Sequence, residues 1–395
     1  MTMPLPDQPE RALLPAGFMD VLPPHATCEA QTVERLMQVF AAYGYDRVKP
    51  PLIEFEETML AGSGAALTKA TFRLMDPVSQ RMLALRSDMT TQIARIAETR
   101  LVHRPRPLRL SYAGQVLRVR GTELRPERQF GQVGAELVGA PSRSADVEAI
   151  VMAAEALAAV GIGGLCVDLG APSLVPAILA QRGLDAATAA RLADALDRKD
   201  ASAVTALAPA VGAATADLLV RLLAAAGPAQ PALEKLTAAE LPAAAASVRS
   251  DLIAVADGLA ATGAELTLSV DPVEGRGFEY HSGVTFSLFA SGAPGELGRG
   301  GRYLTGAGEE ATGVSLFMDA VLKALPPPAR LRRVLLPAGT PAAEGRRLRS
   351  EGWVTVSALD RAADPGAEAR RLGCSHALID GTVVAVAAEP NSLTP

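Results

Sequence analysis

The sequence predicts an α+β fold: an antiparallel sheet flanked by helices, interrupted by a helical insert and followed by a small C-terminal α/β appendage. Three observations predict it. First, the β-rich segments PLRLSYAG, QVLRVR and RQFGQVGAELVG follow one another through links too short for a parallel crossover, which needs a dozen or more residues. Second, from about Pro172 to Thr262 the composition shifts to alanine, leucine and acidic residues with scattered Gly and Pro, as expected for several short packed helices. Third, beyond the linker PPPARLRR, strand and helix patterns alternate as in a small α/β unit. The boundaries read as 1–171 and 263–325 for two parts of a core, 172–262 for the insert and 330–395 for the appendage.

Along the chain, Thr27 is placed to cap a helix in which Val33, Leu36, Met37, Phe40 and Tyr43 recur at helical intervals, and Gly44 stops it. YDRVKPPLIEFEE is extended around its prolines, and the Gly-rich AGSGAALTKA reads as a loop. A strand at QRMLALR precedes a helix capped by Ser87 that runs through Ile93 and Ile96. Gly114 reads as a turn between PLRLSYAG and QVLRVR. From Ser144 a helix carries Val147, Ile150, Val151, Ala154 and Leu157, and the strand GLCVDLG succeeds it. Strands return at AELTLSVD and GVTFSLFA, completing the sheet. In the appendage, RVLLPAG, WVTVSAL, HALID and TVVAVAA alternate with a helix from Pro341 to Ser350 and another near Ala367.

Composition excludes several classes. The 395 residues carry a net charge of −5 and are 49% apolar but only 4% aromatic. Of them 75 are alanine, so the positive mean hydropathy comes from small helix-favouring side chains. No stretch approaches the roughly 20 consecutive apolar residues of a membrane span, and the first residues, MTMPLPDQPERALLP, lack a signal peptide's basic end and apolar core. The expected location is cytoplasmic. Cys28, Cys166 and Cys374 are too few and too scattered for a disulfide framework or CxxC motif, and His25, His103, His281 and His376 lack zinc-ligand spacing. No metal and no cofactor is expected.

Three clusters could carry chemistry. Eight arginines fall between Arg100 and Arg128, and a guanidinium suits bidentate carboxylate or phosphate contacts. Arginine outnumbers lysine 33 to five throughout, however, so Arg100, Arg104, Arg106 and Arg125 read as solvated cations on loops. Arg118 stands apart because it lies in the apolar strand QVLRVR. Next, Phe130, Gln132 and Glu136 share one face of a strand. A carboxylate on a core face is costly without a partner, so this trio reads either as a ligand floor or as an exposed sheet face. Third, Arg276, Glu279, Tyr280 and His281 crowd GRGFEYHSGVTF, which is equally compatible with a charged hairpin tip. Asp88 suits a helix's first turn. GRGGRY lacks the GK[ST] ending and following helix of a phosphate loop.

Taken in order, AGFMDVLPP, YGYDRVKPP, LALRSDMT, LRLSYAGQVLRVRG, RQFGQVGAELVG, RGFEYHSGVTF and GGRY resemble the catalytic core of histidyl-tRNA synthetase, a class II aminoacyl-tRNA synthetase-like fold, from about Leu14 to Leu325. The resemblance implies roles. Asp88 falls where that enzyme uses a glutamate for the histidine ammonium group. Arg118 matches an arginine contacting carboxylate or α-phosphate, and Phe130 matches the aromatic under adenine, here a vestigial adenine site. Gln132 and Glu136 match groups holding the amino acid and its imidazole. Arg276 matches the arginine of the histidine-specific loop, followed by Tyr280 and by His281 where the enzyme has a tyrosine.

The departures narrow the reading. Ala320 stands where the synthetase grips ATP phosphates with arginine, Arg120 replaces a motif-two glutamate, and the tail from Arg330 is short for an anticodon-binding domain. A synthetase-like core so altered resembles the ATP phosphoribosyltransferase regulatory subunits. That resemblance implies no catalytic residue in this chain, and a role in the first step of histidine biosynthesis. It also implies a homodimer within a hetero-oligomer with the short-form catalytic subunit, histidine as effector, and neither tRNA nor membrane as partner. The alternatives are an active histidyl-tRNA synthetase and a free-standing amino-acid-binding paralogue.

Overall fold

The computed structural model describes residues 14–61, 67–121, 125–180, 182–275, 280–327 and 331–386. It forms two compact units, Met1–Pro326 and Pro327–Pro395. Residues 62–66, half of AGSGAALTKA, and residues 276–279, Arg276 and Glu279 included, lie outside the described residues.

The first unit opens with α1 (His25–Ala42), which buries Leu36, Met37 and Phe40 on one stripe. It begins two residues before Thr27, so the expected cap lies inside the helix; Gly44, at φ +83°, closes it. Next come β1 (Asp46–Arg47), β2 (Ile53–Phe55), α2 (Glu56–Met59), β3 (Arg73–Met75) and β4 (Met82–Leu85), with β2, β4 and β3 making a small antiparallel sheet. In α3 (Thr90–Thr99) the expected cap is displaced by one residue: Asp88 Oδ1 accepts from the Thr90 amide at 2.7 Å, while the Ser87 hydroxyl bonds Thr71.

β5 (Leu108–Leu117) and β6 (Gln129–Val138) form one long hairpin. Gly114 is therefore not a turn but a strand residue. A Cβ there would collide with the Arg86 guanidinium, which lies across the strand and donates to the Gln115 carbonyl at 2.7 Å. α4 (Arg143–Ala159), capped by Ser142, covers the face of β5 and β6 that carries Arg109, whose guanidinium pairs with Glu148. Then follow β7 (Leu165–Gly170), α5 (Leu174–Leu179), α6 (Ala186–Asp197), α7 (Ala201–Ala206), α8 (Ala208–Val211) and α9 (Ala213–Leu223). β8 (Gly227–Pro228), α10 (Ala229–Ala238), α11 (Ala243–Ala261), β9 (Thr267–Asp271), β10 (His281–Ala290), β11 (Gly298–Leu304), β12 (Glu310–Phe317) and α12 (Met318–Ala324) complete the unit.

Its main sheet has the order β1-β5-β6-β12-β11-β10-β7-β9-β8. Every neighbour from β5 through β7 is antiparallel, as the short links require, whereas the flanking pairs β1–β5 and β7–β9 are parallel. The sheet is thus mixed, and the reason is local: β7 and β9 are joined by the alanine-rich helical run, a connection long enough to return the chain in the same direction. GRGGRY, weak as a loop motif, is the body of the central strand β11. No described helix is long and apolar enough to cross a membrane.

The second unit alternates β13 (Arg333–Leu336), α13 (Ala342–Ser350), β14 (Val354–Ser357), α14 (Pro365–Arg371), β15 (His376–Ile379) and β16 (Thr382–Ala385) in a sheet ordered β14-β13-β15-β16.

One buried charge network ties β11 to the start of α4. The Arg302 guanidinium, 4% exposed, donates to Asp146 Oδ2 at 2.9 Å, to the Ala140 and Ser142 carbonyls at 2.9 and 2.7 Å and to Glu310 at 2.7 Å. Asp146 also accepts from the Thr312 hydroxyl at 2.6 Å. Burial raises the Asp146 carboxyl even with this cation beside it. Removing one member of such a network strands the others in a dry site, at a cost of about 3–5 kcal/mol. Arg302→Ala is therefore expected to lower the urea unfolding free energy by about that amount; a loss below about 1 kcal/mol would show that water reaches the site and compensates.

Candidate functional site

The central strands frame a cavity of about 690 Å³ between α3, the start of α12 and the connection leading into β10. Its floor is the face of β6 that carries Gln132, Gly134 and Glu136. Glu136 faces Gly313 of β12 in register, and a Cβ at Gly313 would fall inside the Glu136 carboxylate. Glycine there is a condition for burying the acid. Likewise a Cβ at Gly134 would meet the Tyr112 hydroxyl, which stands opposite on β5.

Glu136 is 1% exposed, and hydroxyls surround it. Tyr303 donates to Oε2 at 2.9 Å and Tyr112 to Oε1 at 3.1 Å. The Tyr112 oxygen lies 3.1 Å from Ser315 Oγ and 3.2 Å from Thr90 Oγ1. Burial pushes the Glu136 carboxyl up to about 8; the negative charge of Asp88 adds to the rise, and hydrogen bonds from Thr90, Tyr303 and Tyr112 oppose it. Burial thus favours the protonated form of this acid. Burial and the same carboxyl raise both tyrosines as well.

Asp88, Arg118, Glu136, Tyr280 and His281 all line this cavity, so residues scattered over nearly 200 positions converge. The rings of Tyr280 and His281 stack at 4.1 Å, and Tyr303 meets Tyr280 edge-on at 6.0 Å. Gln132 lies beneath the wall. Its Oε1 accepts from the Met89 amide at 3.0 Å, and its Nε2 donates to Ser315 Oγ at 2.7 Å and to Asp88 Oδ2 at 3.4 Å. It thus sets the position of Asp88 from behind. Phe130 is likewise buried, under the Arg118 guanidinium at 5.0 Å and edge-on to Phe317 at 6.1 Å. Arg276 lies outside the described residues.

The cations differ in how they are satisfied. Arg125, read from sequence as a solvated cation, instead lines the cavity, lies 3.9 Å over the Phe317 ring and donates to the Glu296 carbonyl at 2.7 Å. Arg299 pairs with the same Glu296 side chain at 2.7 Å, and Lys323 with Glu127 at 2.6 Å. Arg106 is also tied down, to Glu309 at 2.8 Å. Arg118, by contrast, has no carboxylate within ion-pair distance among the described residues. Burial draws its guanidinium down while Asp88 and Asp319 act against that. Ala320 lies on the wall, buried, at the start of α12.

Chemically, the described residues bring together at this cavity the Arg118 guanidinium, the Asp88 carboxylate and the buried Glu136 acid beside aromatic rings. That set complements a zwitterion with a proton-accepting side chain. It is poor for a triphosphate, because among the described residues Arg125 and Arg299 are already paired with Glu296 and Lys323 with Glu127, and Asp319 adds a negative charge. Tyr112, Tyr303, Ser315, Arg125 and Glu296 escaped the sequence reading as site residues. The available signal was the pairing of glycines with tyrosines in LSYAG and GGRY.

Comparison with known proteins follows from this geometry. The sequence profile of the histidyl-tRNA synthetase family matches residues 17–321. The ATP phosphoribosyltransferase regulatory subunit of Paramagnetospirillum magneticum is 57% identical over 376 residues, covering 95% of this chain and 98% of that protein. That of Rhodospirillum centenum is 55% identical over 386 residues, covering 98% and 99%. Among solved structures, an ATP phosphoribosyltransferase regulatory subunit/histidyl-tRNA synthetase from Bacillus halodurans C superposes with a TM-score of 0.80 at 25% identity, covering 93% of this chain and 97% of that one.

The Glu136 carboxyl makes stability depend on pH. Its folded value, about 8, exceeds the ordinary glutamate value of 4.5, so the folded state binds more protons between those limits. Its contribution is intact below pH 4.5 and is lost as pH rises through 8, by about 1.4 kcal/mol per unit inside that window. Glu136→Gln should gain stability relative to the parent between pH 5 and pH 8 in urea titrations. A pH-independent difference would mean that Glu136 is ionised in the folded chain.

Proposed function

The chain belongs to the family of ATP phosphoribosyltransferase regulatory subunits, built on the histidyl-tRNA synthetase fold, and from that premise we propose that its cavity is where histidine is sensed. The protein is a noncatalytic regulatory subunit in histidine biosynthesis; transfer of the phosphoribosyl group falls to a separate catalytic subunit. In this reading the chain forms a homodimer within a hetero-oligomer with that subunit, in the cytoplasm, and the helical stretch 172–262 is an insert in the synthetase-like core.

The observation that carries the histidine reading is that Glu136, an acid whose burial favours its protonated form, lines one cavity together with Asp88 and Arg118. A free imidazole, with a pKa of about 6.5, is neutral above pH 7. When it enters, the Glu136 carboxyl donates its proton in a hydrogen bond to the unprotonated ring nitrogen, and acid and imidazole hold one proton between them. Arg118 then takes the ligand carboxylate and Asp88 its ammonium group. Such a pocket regulates only if histidine binds two states of the assembly with different affinity. Adenylation does not belong to this reading, since Ala320 supplies no cation and Arg125, Arg299 and Lys323 are already paired with acids.

Because the proton is shared internally, histidine binding at pH 7 should draw almost none from buffer. At pH 8.5, where most of the Glu136 population is ionised, binding should take up most of one proton, and Glu136→Gln should abolish that difference. Calorimetry in two buffers of unlike ionisation enthalpy measures this, and equal uptake by parent and variant would rule the shared proton out.

Arg118→Ala should weaken histidine binding by roughly tenfold or more, because the ligand carboxylate loses a charge-assisted partner. Unchanged affinity would place the effector elsewhere. Mixing the chain with its cognate catalytic subunit should give co-elution and raise phosphoribosyltransferase turnover; neither effect appearing would overturn the assignment of partner.

A further inference from the structure

Lys199 sits in the helical run, far along the chain from the cavity residues, yet we propose that it positions the cavity wall that carries Glu274. The inference rests on reading the cavity as a histidine site. Lys199 follows α6 with a backbone φ of +56°, and its amide donates to the Leu196 carbonyl at 3.0 Å. This is the left-handed position after a helix that glycine ordinarily takes, since a Cβ is disfavoured there. The neighbouring backbone needs no lysine: Asp200 caps α7 by accepting from the Ala203 amide at 2.9 Å. The reason for the side chain lies beyond the helix end.

Its Nζ lies 2.6 Å from Asp271 Oδ2 and 3.6 Å from Glu274 Oε2. Asp271 ends β9, and its other oxygen accepts from the Val273 amide at 3.2 Å, while its carbonyl accepts from the Glu274 amide at 3.4 Å. Lys199 therefore grips from outside the turn that Asp271 closes from within. Glu274 lines the cavity, and the chain runs on from it to Tyr280 and His281 on the same wall. The turn also packs on the end of β7: Gly170 pairs with Asp271, and a Cβ there would lie 3.9 Å from Glu274 Cβ. A lysine ammonium, compact and with three donors, meets both carboxylates at once. Ion pairs this exposed contribute little stability, so the geometry points to placement of the turn rather than to the strength of the fold.

Lys199→Gly separates the two roles, because glycine relieves the left-handed backbone while removing the ammonium. In the full-length chain the expected result has three parts. Amide hydrogen exchange at Val273 and Glu274 accelerates about tenfold, with exchange in α6 and α7 unchanged. The thermal midpoint stays within about 2 °C of the parent. Histidine affinity, read by calorimetry, falls roughly three- to tenfold, and Lys199→Arg recovers most of it. Unchanged exchange at Val273 and Glu274 would overturn the proposal, as would faster exchange spread evenly over α6 to α9, or faster local exchange with unaltered histidine affinity. A parent chain that binds no histidine would defeat the ligand reading instead, and the exchange data would still decide whether Lys199 holds the turn.

Discussion

The structure is organised around a carboxyl buried in the middle of a sheet. Placing Glu136 on the central strand β6 at 1% exposure demands space and hydrogen bonds, and the neighbouring strands supply both. β12 gives way with Gly313, and β6 itself gives way with Gly134 so that Tyr112 can reach across from β5. β11 contributes Tyr303, whose hydroxyl donates to the acid. On the opposite side of β11, Arg302 ties the same strand to α4 through Asp146. One strand thus carries, on adjacent residues, the group that holds the buried acid and the group that anchors the sheet to its helices.

That arrangement leaves the cavity with two dissimilar halves. Around Glu136, whose protonated form burial favours, lie the stacked rings of Tyr280 and His281 and the carboxylate of Asp88. Toward α12 the charges cancel one another: Arg125 and Arg299 converge on Glu296, and Lys323 turns to Glu127. Anchoring cations to internal acids lowers their value to an incoming phosphate, because a ligand must first break pairs already made. Substitution of one residue, Ala320, is therefore only part of the distance from a synthetase. Arg125, Arg299 and Lys323 are also committed to acids. The tie from Lys199 to Asp271 and Glu274 links the cavity wall to helices outside the sheet.

Much of the fold was legible in the sequence, through local signals. Helical spacing in Val33 to Tyr43 and in Val147 to Leu157 marks α1 and α4, and short links between β-rich segments dictate the antiparallel centre. The errors have common causes. Gly114 looks like a turn because glycine's commonest local role is a turn, whereas here it clears space for Arg86, which comes from elsewhere in the chain. Ser87 looks like the cap of α3, but its hydroxyl is occupied by Thr71 and Asp88 takes the role. Arg125 looks solvated because nothing nearby in sequence announces Phe317 and Glu296, nearly 200 residues on.

By itself, then, the sequence determined the helices α1 and α4, the antiparallel centre of the sheet and the kinds of side chain available to a site. These depend on periodicity, spacing and composition, which are properties of neighbouring residues. Only the tertiary structure decided which cations are free, which acid keeps its proton and which lysine reaches the cavity wall. Those properties depend on burial and on partners brought from distant parts of the chain. A charge has no fixed value along a sequence; its solvation and its counter-charges set it, and both exist only once the strands and helices have packed.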